Sequence, residues 1–294
     1  MDVISPGGMN MFLDRNHPVL LREASPADAA LTATDAHFHY ASSQPAVDGV
    51  TVPFYAGEVT MIVGPNGSGK STLLQLLCGH LTPSGGTVTA RGEDITRLHP
   101  LKRAALMSYV PQAPQVSFAY RVRDIVAMGA WAQQRRRPGG EKVSEDKPGV
   151  DRVVQAMWDM DIHALAQRTY DELSAGERQR VAVARALVQD APIMLLDEPT
   201  AALDIWHQLE LLHHLKSLAQ VRHKAVIWVT HDLNHARAHA DRVLIMDAGK
   251  LAAHGKADQV LTPEILEPIY RVHVTVRDGN LQFSRYYRKT IGQI

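Results

Sequence analysis

One stretch constrains this chain more than any other: the apolar, β-branched run Met61-Ile62-Val63 breaks into Gly64-Pro65-Asn66-Gly67-Ser68-Gly69-Lys70-Ser71. Thr72 through Cys78 then reads as a helix. Strand, glycine-rich loop and helix in that order, with the spacing G-x-x-x-x-G-K-S, form the phosphate-binding P-loop pattern. The glycines let the backbone double back, so that its N–H groups face inward near the positive end of the following helix dipole. Such a concavity suits the β- and γ-phosphates of a nucleotide. Lys70 is predicted to reach their oxygens as a point charge, and the Ser71 hydroxyl to ligate Mg²⁺, with Thr72 just behind. A glycine-rich turn without a ligand is the alternative. The strand before it and the helix after it weigh against that reading.

The order of elements around this loop predicts an α/β fold. Leu31–Thr34, Gly49–Phe54, Val59–Val63 and Thr87–Ala90 read as strands, and Ala105–Val110 as a further buried one. A mostly helical stretch runs from about Val122 to Leu187, interrupted by Gln133–Val150 with its Arg135-Arg136-Arg137 run, which reads as a solvated loop. Ile193–Leu196 and Ala225–Thr230 are continuous apolar runs, as central parallel strands covered on both faces require. Between them Ile205, Leu209, Leu212, Leu215 and Leu218 repeat at helical spacing, and Val243–Met246 adds one more strand. Residues 1–30, with Pro6, Gly7, Gly8, Pro18 and Pro26, read as a loosely ordered tail without the layout of a signal peptide. The core is predicted over 31–267, with a helical insertion at about 113–188 and a C-terminal tail over 268–294.

Charge and apolar content narrow the function classes. Lys+Arg and Asp+Glu both number 31, so no basic field favours nucleic acid. No apolar run approaches a membrane span. The single cysteine, Cys78, falls among Leu76, Leu77 and Leu81 and is predicted to be a small core residue. His235 and His239 stand at metal-ligand spacing, but no third ligand accompanies them; like His213 and His214 they read as a surface helix face.

Two further constellations bear on chemistry. The strand Ile193–Leu196 ends in Asp197-Glu198. At the carboxyl end of a strand facing the P-loop, Asp197 is placed to hold Mg²⁺ through water, and Glu198 to orient or deprotonate an attacking water. Leu173-Ser174-Ala175-Gly176-Glu177 opens a helix. Ser174 with Glu177 three residues on is a capping box, which by itself accounts for both; the functional reading is that Ser174 and Gly176 meet an anion.

The P-loop, Gln112, Leu173–Glu177, Leu195-Leu196-Asp197-Glu198-Pro199, Ala202-Leu203-Asp204 and Thr230-His231-Asp232 together resemble the ATP-binding cassette ATPases in order and spacing. The resemblance implies a P-loop NTPase core with a parallel sheet, an antiparallel β subdomain and an inserted helical subdomain, acting on ATP with Mg²⁺. By position, Tyr40 resembles the aromatic that stacks on adenine, and Gln112 the sensor of Mg²⁺ and γ-phosphate. Leu173–Glu177 resembles the signature loop, with Ala175 and Glu177 in place of a glycine and a glutamine. Asp204 resembles the acid of the dimer-interface loop, His231 the switch histidine. The implied mechanism sandwiches two ATPs between head-to-tail subunits. Each γ-phosphate then meets Lys70 of one chain and Ser174 and Gly176 of the other, and hydrolysis at Glu198 releases the dimer.

Within that family, Asp204-Ile205-Trp206-His207-Gln208, His231-Asp232-Leu233-Asn234 and Val260-Leu261-Thr262-Pro263-Glu264 are similar to the ATPases of iron-siderophore, haem and cobalamin importers. Val126–Ala132 is closer to zinc or manganese importer ATPases, and the resemblance implies that it lines the groove for a membrane subunit's coupling helix. The implied assembly is a homodimer of this chain with two membrane-spanning permease subunits and an extracytoplasmic binding protein, peripheral on the cytoplasmic side of the membrane and without nucleic acid. A soluble cassette ATPase acting on nucleic acid is the reading from another class, and the neutral charge gives it little support.

Overall fold

The computed structural model describes residues 28–41, 44–116, 118–131 and 148–285, with the backbone alone for 148–151. The chain begins with β1 (Ala29–Phe38), β2 (Val47–Tyr55) and β3 (Val59–Val63), then the glycine loop and α1 (Lys70–Leu77). β4 (Gly85–Ala90), β5 (Glu93–Asp94), α2 (Pro100–Leu106) and β6 (Met107–Val110) follow. Three helices come next, α3 (Val122–Ala127), α4 (Pro148–Asp159) and α5 (Ala175–Gln189). After them run β7 (Ile193–Asp197), α6 (Ile205–Arg222), β8 (Ala225–Val229), α7 (Leu233–His239), β9 (Arg242–Asp247) and β10 (Lys250–Gly255). The described residues close with α8 (Ala257–Val260), α9 (Pro263–Tyr270) and the hairpin β11 (His273–Arg277) with β12 (Asn280–Ser284).

The central sheet has the order β10-β9-β3-β8-β7-β6, and all its pairings are parallel except β10 with β9. Its strands carry two cores, because side chains alternate across a pleat. Met61, Val63, Met194, Leu196, Val226, Trp228, Val243 and Ile245 face the layer of α5, α6 and α7. Ile62, Ile193, Leu195, Ile227, Leu244 and Met246 face α1 and a second, antiparallel sheet of order β2-β1-β4-β5. With both faces covered, β3, β7 and β8 are buried at every residue, which is why their sequences are apolar apart from Thr60 and the terminal Asp197.

The parallel order β3-β8-β7-β6 decides where the chemistry sits. The carboxyl ends of these neighbours lie along one edge, and from that edge leave the glycine loop, Thr230-His231, Asp197-Glu198 and Pro111-Gln112. Four segments distant in sequence meet for this topological reason alone.

Several local expectations shift. Ala105 and Leu106 end α2 rather than begin a strand, and β6 is only Met107–Val110. Ile205 and Leu209 share the helical spacing of Leu212, Leu215 and Leu218, yet are 76% and 51% exposed, because the first turns of α6 stand clear of the sheet. Within the span expected as a C-terminal tail lies the β11–β12 hairpin. Asp278-Gly279, both with positive φ, makes its turn, and Val274 and Leu281 bury its inner face. Asn234 clamps it to α7, donating to the Leu281 carbonyl at 3.2 Å and accepting from the Leu281 N–H at 2.7 Å. Of the tail predicted over residues 1–30, Ala29 and Ala30 instead begin β1, paired with β2, while residues 1–27 and the Arg135–Arg137 loop lie outside the described residues.

Candidate active site

The glycine loop is shaped by backbone that only glycine tolerates at two points. Gly69 has φ +97°, and a Cβ there would fall on the carbonyl oxygen of Ala46; at Gly64 it would fall on that of Met246. Ser68 is buried, while Asn66 and Gly67 lie at the exposed crest and Pro65 is half-buried. Lys70 is 6% exposed, and its Nζ donates to the carbonyls of Gly64 and Pro65, both at 2.8 Å. Burial pulls its pKa down, against the upward pull of Glu198 and Asp197. The lysine is thus a partly desolvated cation held by the loop's own carbonyls.

The Ser71 hydroxyl donates to Asp197 Oδ1 at 3.1 Å. Burial raises the Asp197 pKa, against the Ser71 hydrogen bond and with the neighbouring Glu198 charge. The next residue, Glu198, adopts φ +47°, a left-handed conformation that costs a non-glycine residue of the order of 1 kcal/mol or more. Its N–H donates to the Val229 carbonyl at 3.0 Å, which holds the turn onto β8. The turned carboxylate receives two partners on one oxygen: Gln112 Nε2 donates at 2.7 Å and His231 Nε2 lies 2.6 Å away. The carboxylate therefore accepts from Gln112, with His231 Nε2 set as an ion-pair partner against the same oxygen. Glu198, Gln112 and His231 therefore form one cluster, and Asp197 and Ser71 an adjacent one. Gln112 is engaged with Glu198 rather than with Ser71 or Asp197.

The remaining predicted residues lie apart from these clusters. Ser174 caps α5: its Oγ accepts from the Glu177 N–H at 3.3 Å, and Glu177 Oε2 accepts from the Ser174 N–H at 2.7 Å. The reciprocal hydrogen bonds hold the Glu177 carboxyl below its usual range. Ser174 Oγ accepts from the Glu177 N–H, and its hydroxyl also hydrogen-bonds the Glu177 carboxylate, so contact with an anion needs that hydroxyl to turn away from Glu177. Ala175 is exposed, and a Cβ at Gly176 would come 2.8 Å from the Ala202 carbonyl oxygen. Asp204 caps α6 through the His207 N–H at 3.0 Å. Tyr40 packs edge-on against Phe38 with ring centroids 5.0 Å apart, and its hydroxyl lies 3.5 Å from Thr72 Oγ1.

Arg180 and His207 carry no predicted role, yet they join α5 to Asp204: Arg180 Nη1 lies 2.8 Å from His207 Nε2, and His207 Nδ1 lies 2.8 Å from Asp204 Oδ2. The available signal was the spacing of a capping aspartate and a histidine three residues on. Cys78 is buried and burial raises its thiol pKa to about 11. His235 and His239 face each other on α7, ring centroids 6.2 Å apart; no three-ligand metal cluster occurs among the described residues.

Residues 47–201, just over half of the chain, match the family model described as ABC transporter. The hemin import ATP-binding protein HmuV of Nocardia farcinica (strain IFM 10152) is 42% identical over 234 residues, covering 79% of this chain and 78% of that protein. The cobalamin import ATP-binding protein BtuD of Halobacterium salinarum (strain ATCC 29341 / DSM 671 / R1) is 38% identical over 230 residues, covering 78% of this chain and 56% of that protein. Among solved structures, the dimeric post-hydrolysis state of the ATP-binding cassette MJ0796 bound to ADP and Pi superposes with a TM-score of 0.68 at 26% identity, over 77% of this chain and 98% of that one. The chain therefore belongs to the ABC transporter family, and it is an ATP-binding cassette ATPase of that family.

Proposed function

We propose that the chain powers an importer of an iron chelate, haem foremost, with siderophore and cobalamin as related cargoes. The observation that carries its chemistry is the convergence of Gln112 and His231 on Glu198 beside the Ser71–Asp197 pair. The cargo class is supported by the hemin and cobalamin import relatives and by the Asp204–Gln208 and His231–Asn234 segments. Tyr120 and Trp131, both within the helical insertion, are exposed aromatics suited to a permease helix. Among the described residues no helix is long and apolar enough to cross a membrane. The chain acts as a peripheral subunit on the cytoplasmic face, as a homodimer with two permeases and an extracytoplasmic binding protein.

In this reading the loop from Gly64 to Gly69, with Lys70 and Thr72, binds the ATP phosphates, and Tyr40 stacks on the base. The hydroxyl and carboxylate oxygens of Ser71 and Asp197 are hard donors on converging elements and fit Mg²⁺, with Gln112 nearby. When bound, that ion neutralises β- and γ-phosphate charge. Glu198 Oε2 is pinned by Gln112 and His231, so the carboxylate is oriented before ATP arrives and Oε1 takes the proton of the attacking water. His231 is then placed to contact the γ-phosphate. Ser174 and Gly176 of a second chain complete the site, and Asp204 links the two sites. ATP thereby stabilises the closed dimer, and its hydrolysis reverses that stabilisation.

The test is reconstitution with the permease in lipid vesicles. ATP turnover should rise when the binding protein is loaded with haem and stay basal when it carries free zinc or manganese. Stimulation by the free metal instead would replace the cargo assignment.

A further inference from the structure

A continuous hydrogen-bonded line connects the helix capped by Ser174 to the carboxylate of Asp204. Arg180 on α5 is 14% exposed in its side chain, and its Nη1 donates to the Asp161 carbonyl at 2.8 Å and to Asp161 Oδ2 at 3.2 Å. The same nitrogen lies 2.8 Å from His207 Nε2. A guanidinium has donors only, so Nε2 accepts and the ring proton sits on Nδ1. That Nδ1 lies 2.9 and 2.8 Å from the two carboxylate oxygens of Asp204. The Asp204 side chain is 66% exposed, and an exposed aspartate is ordinarily free among rotamers. Here the ring and the helix cap hold it in one orientation.

Two further contacts hold the same loop, one to α5 and one to α6. A Cβ at Gly176 would press on the Ala202 carbonyl, so the start of α5 touches the loop directly. Gln208 Nε2 donates to the Thr200 and Leu203 carbonyls at 3.2 and 2.9 Å, closing the loop onto α6. We propose that His207 is a positioning residue for ATP turnover: its Nδ1–H form ties the Asp204 carboxylate to the Ser174-capped helix, so that the two groups offered to a neighbouring subunit's ATP move as one body. The inference rests on the shared-site reading above.

The test is a double-mutant cycle on ATP turnover in the complete transporter, with Asp204→Ala, His207→Ala and the double variant. Each single change should lower kcat about tenfold, and the double variant should fall no more than about twofold further, because His207 acts through Asp204. Nucleotide affinity of the isolated chain should not move, since its own P-loop is untouched. His207→Met keeps bulk and a weak acceptor toward Arg180 but has no donor for Asp204. It should melt like the wild type and still lose turnover, a split that a purely structural role does not produce, and it stands in if His207→Ala does not fold. Wild-type kcat in His207→Met, or losses that multiply in the double variant, would overturn the inference. Glu198→Gln separates this from the underlying reading: if that variant stays monomeric at saturating ATP, the shared site itself fails. If it dimerises while the His207 variants turn over at full rate, only the positioning role fails.

Discussion

Nε2 of His231 lies 2.6 Å from Oε2 of Glu198, the residue whose backbone is turned into the left-handed region at the end of β7. The pairing crosses from the end of one parallel strand to the end of its neighbour, and Gln112 joins it at 2.7 Å from a third. An acid held this way is oriented before any substrate arrives.

Replacing Glu198 by Gln keeps the shape and removes the base. Steady-state phosphate release should fall by about 10²–10⁴-fold, the usual contribution of a positioned general base. Affinity for a fluorescent ATP analogue should stay within about twofold, because Lys70 and the loop amides are unchanged. Turnover near the wild-type rate would remove Glu198 from the chemistry.

The two faces of the glycine loop should respond differently to a methyl group. Gly69→Ala drives Cβ onto the Ala46 carbonyl at φ +97° and should cost about 2–5 kcal/mol, the sum of overpacking and left-handed strain. At Gly67, φ +77°, a Cβ meets nothing within 4 Å, so Gly67→Ala should cost only the conformational part, about 1–2 kcal/mol. Denaturant melts without nucleotide measure both; equal losses would contradict the packing of the loop against Ala46, just before β2.

Ser174 offers a separation of helix capping from anion contact. Ser174→Ala should destabilise the chain by about 1 kcal/mol through the lost cap. Nucleotide binding by the isolated chain should be unchanged, while turnover in the assembled transporter falls. Ser174→Arg should lose that turnover altogether. If the monomer loses ATP affinity in either variant, Ser174 does not serve a neighbour's site.

Cys78 gives the pH dependence. Its folded-state pKa is raised to about 11, so the unfolded chain releases this proton first and stability falls as pH rises from the usual thiol range toward 11. The loss should reach about 2–3 kcal/mol at the upper end. Cys78→Ala should lessen the fall in stability over that window, leaving the part due to buried Tyr109 and Tyr270, whose pKa values burial also raises. In the folded protein at pH 8 the thiol should also resist iodoacetamide, reacting only on denaturation. Identical pH profiles would show the thiol to be unperturbed.

The parts of this molecule legible in its residues are those governed by local physics. Apolar runs with β-branched residues mark strands buried on both faces, and Gly64–Ser71 can hardly be anything but a strand-to-helix phosphate turn. The Ser174–Glu177 cap forms because the partners are three residues apart on one helix. The hairpin at Asp278-Gly279 is equally local in its turn, but its strands are short, and its docking by Val274, Leu281 and Asn234 onto distant segments lies outside any window around residue 278. Only the tertiary structure brings Gln112, Glu198 and His231 onto one carboxylate, because strand order along the sheet is set by packing and not by any spacing in the chain. It alone turns Glu198 into left-handed backbone, leaves Ile205 and Leu209 in solvent despite their helical period, and carries Arg180 to His207. Short-range propensities act over a few residues and can be read along the chain; contacts between distant segments exist only once the two cores have closed.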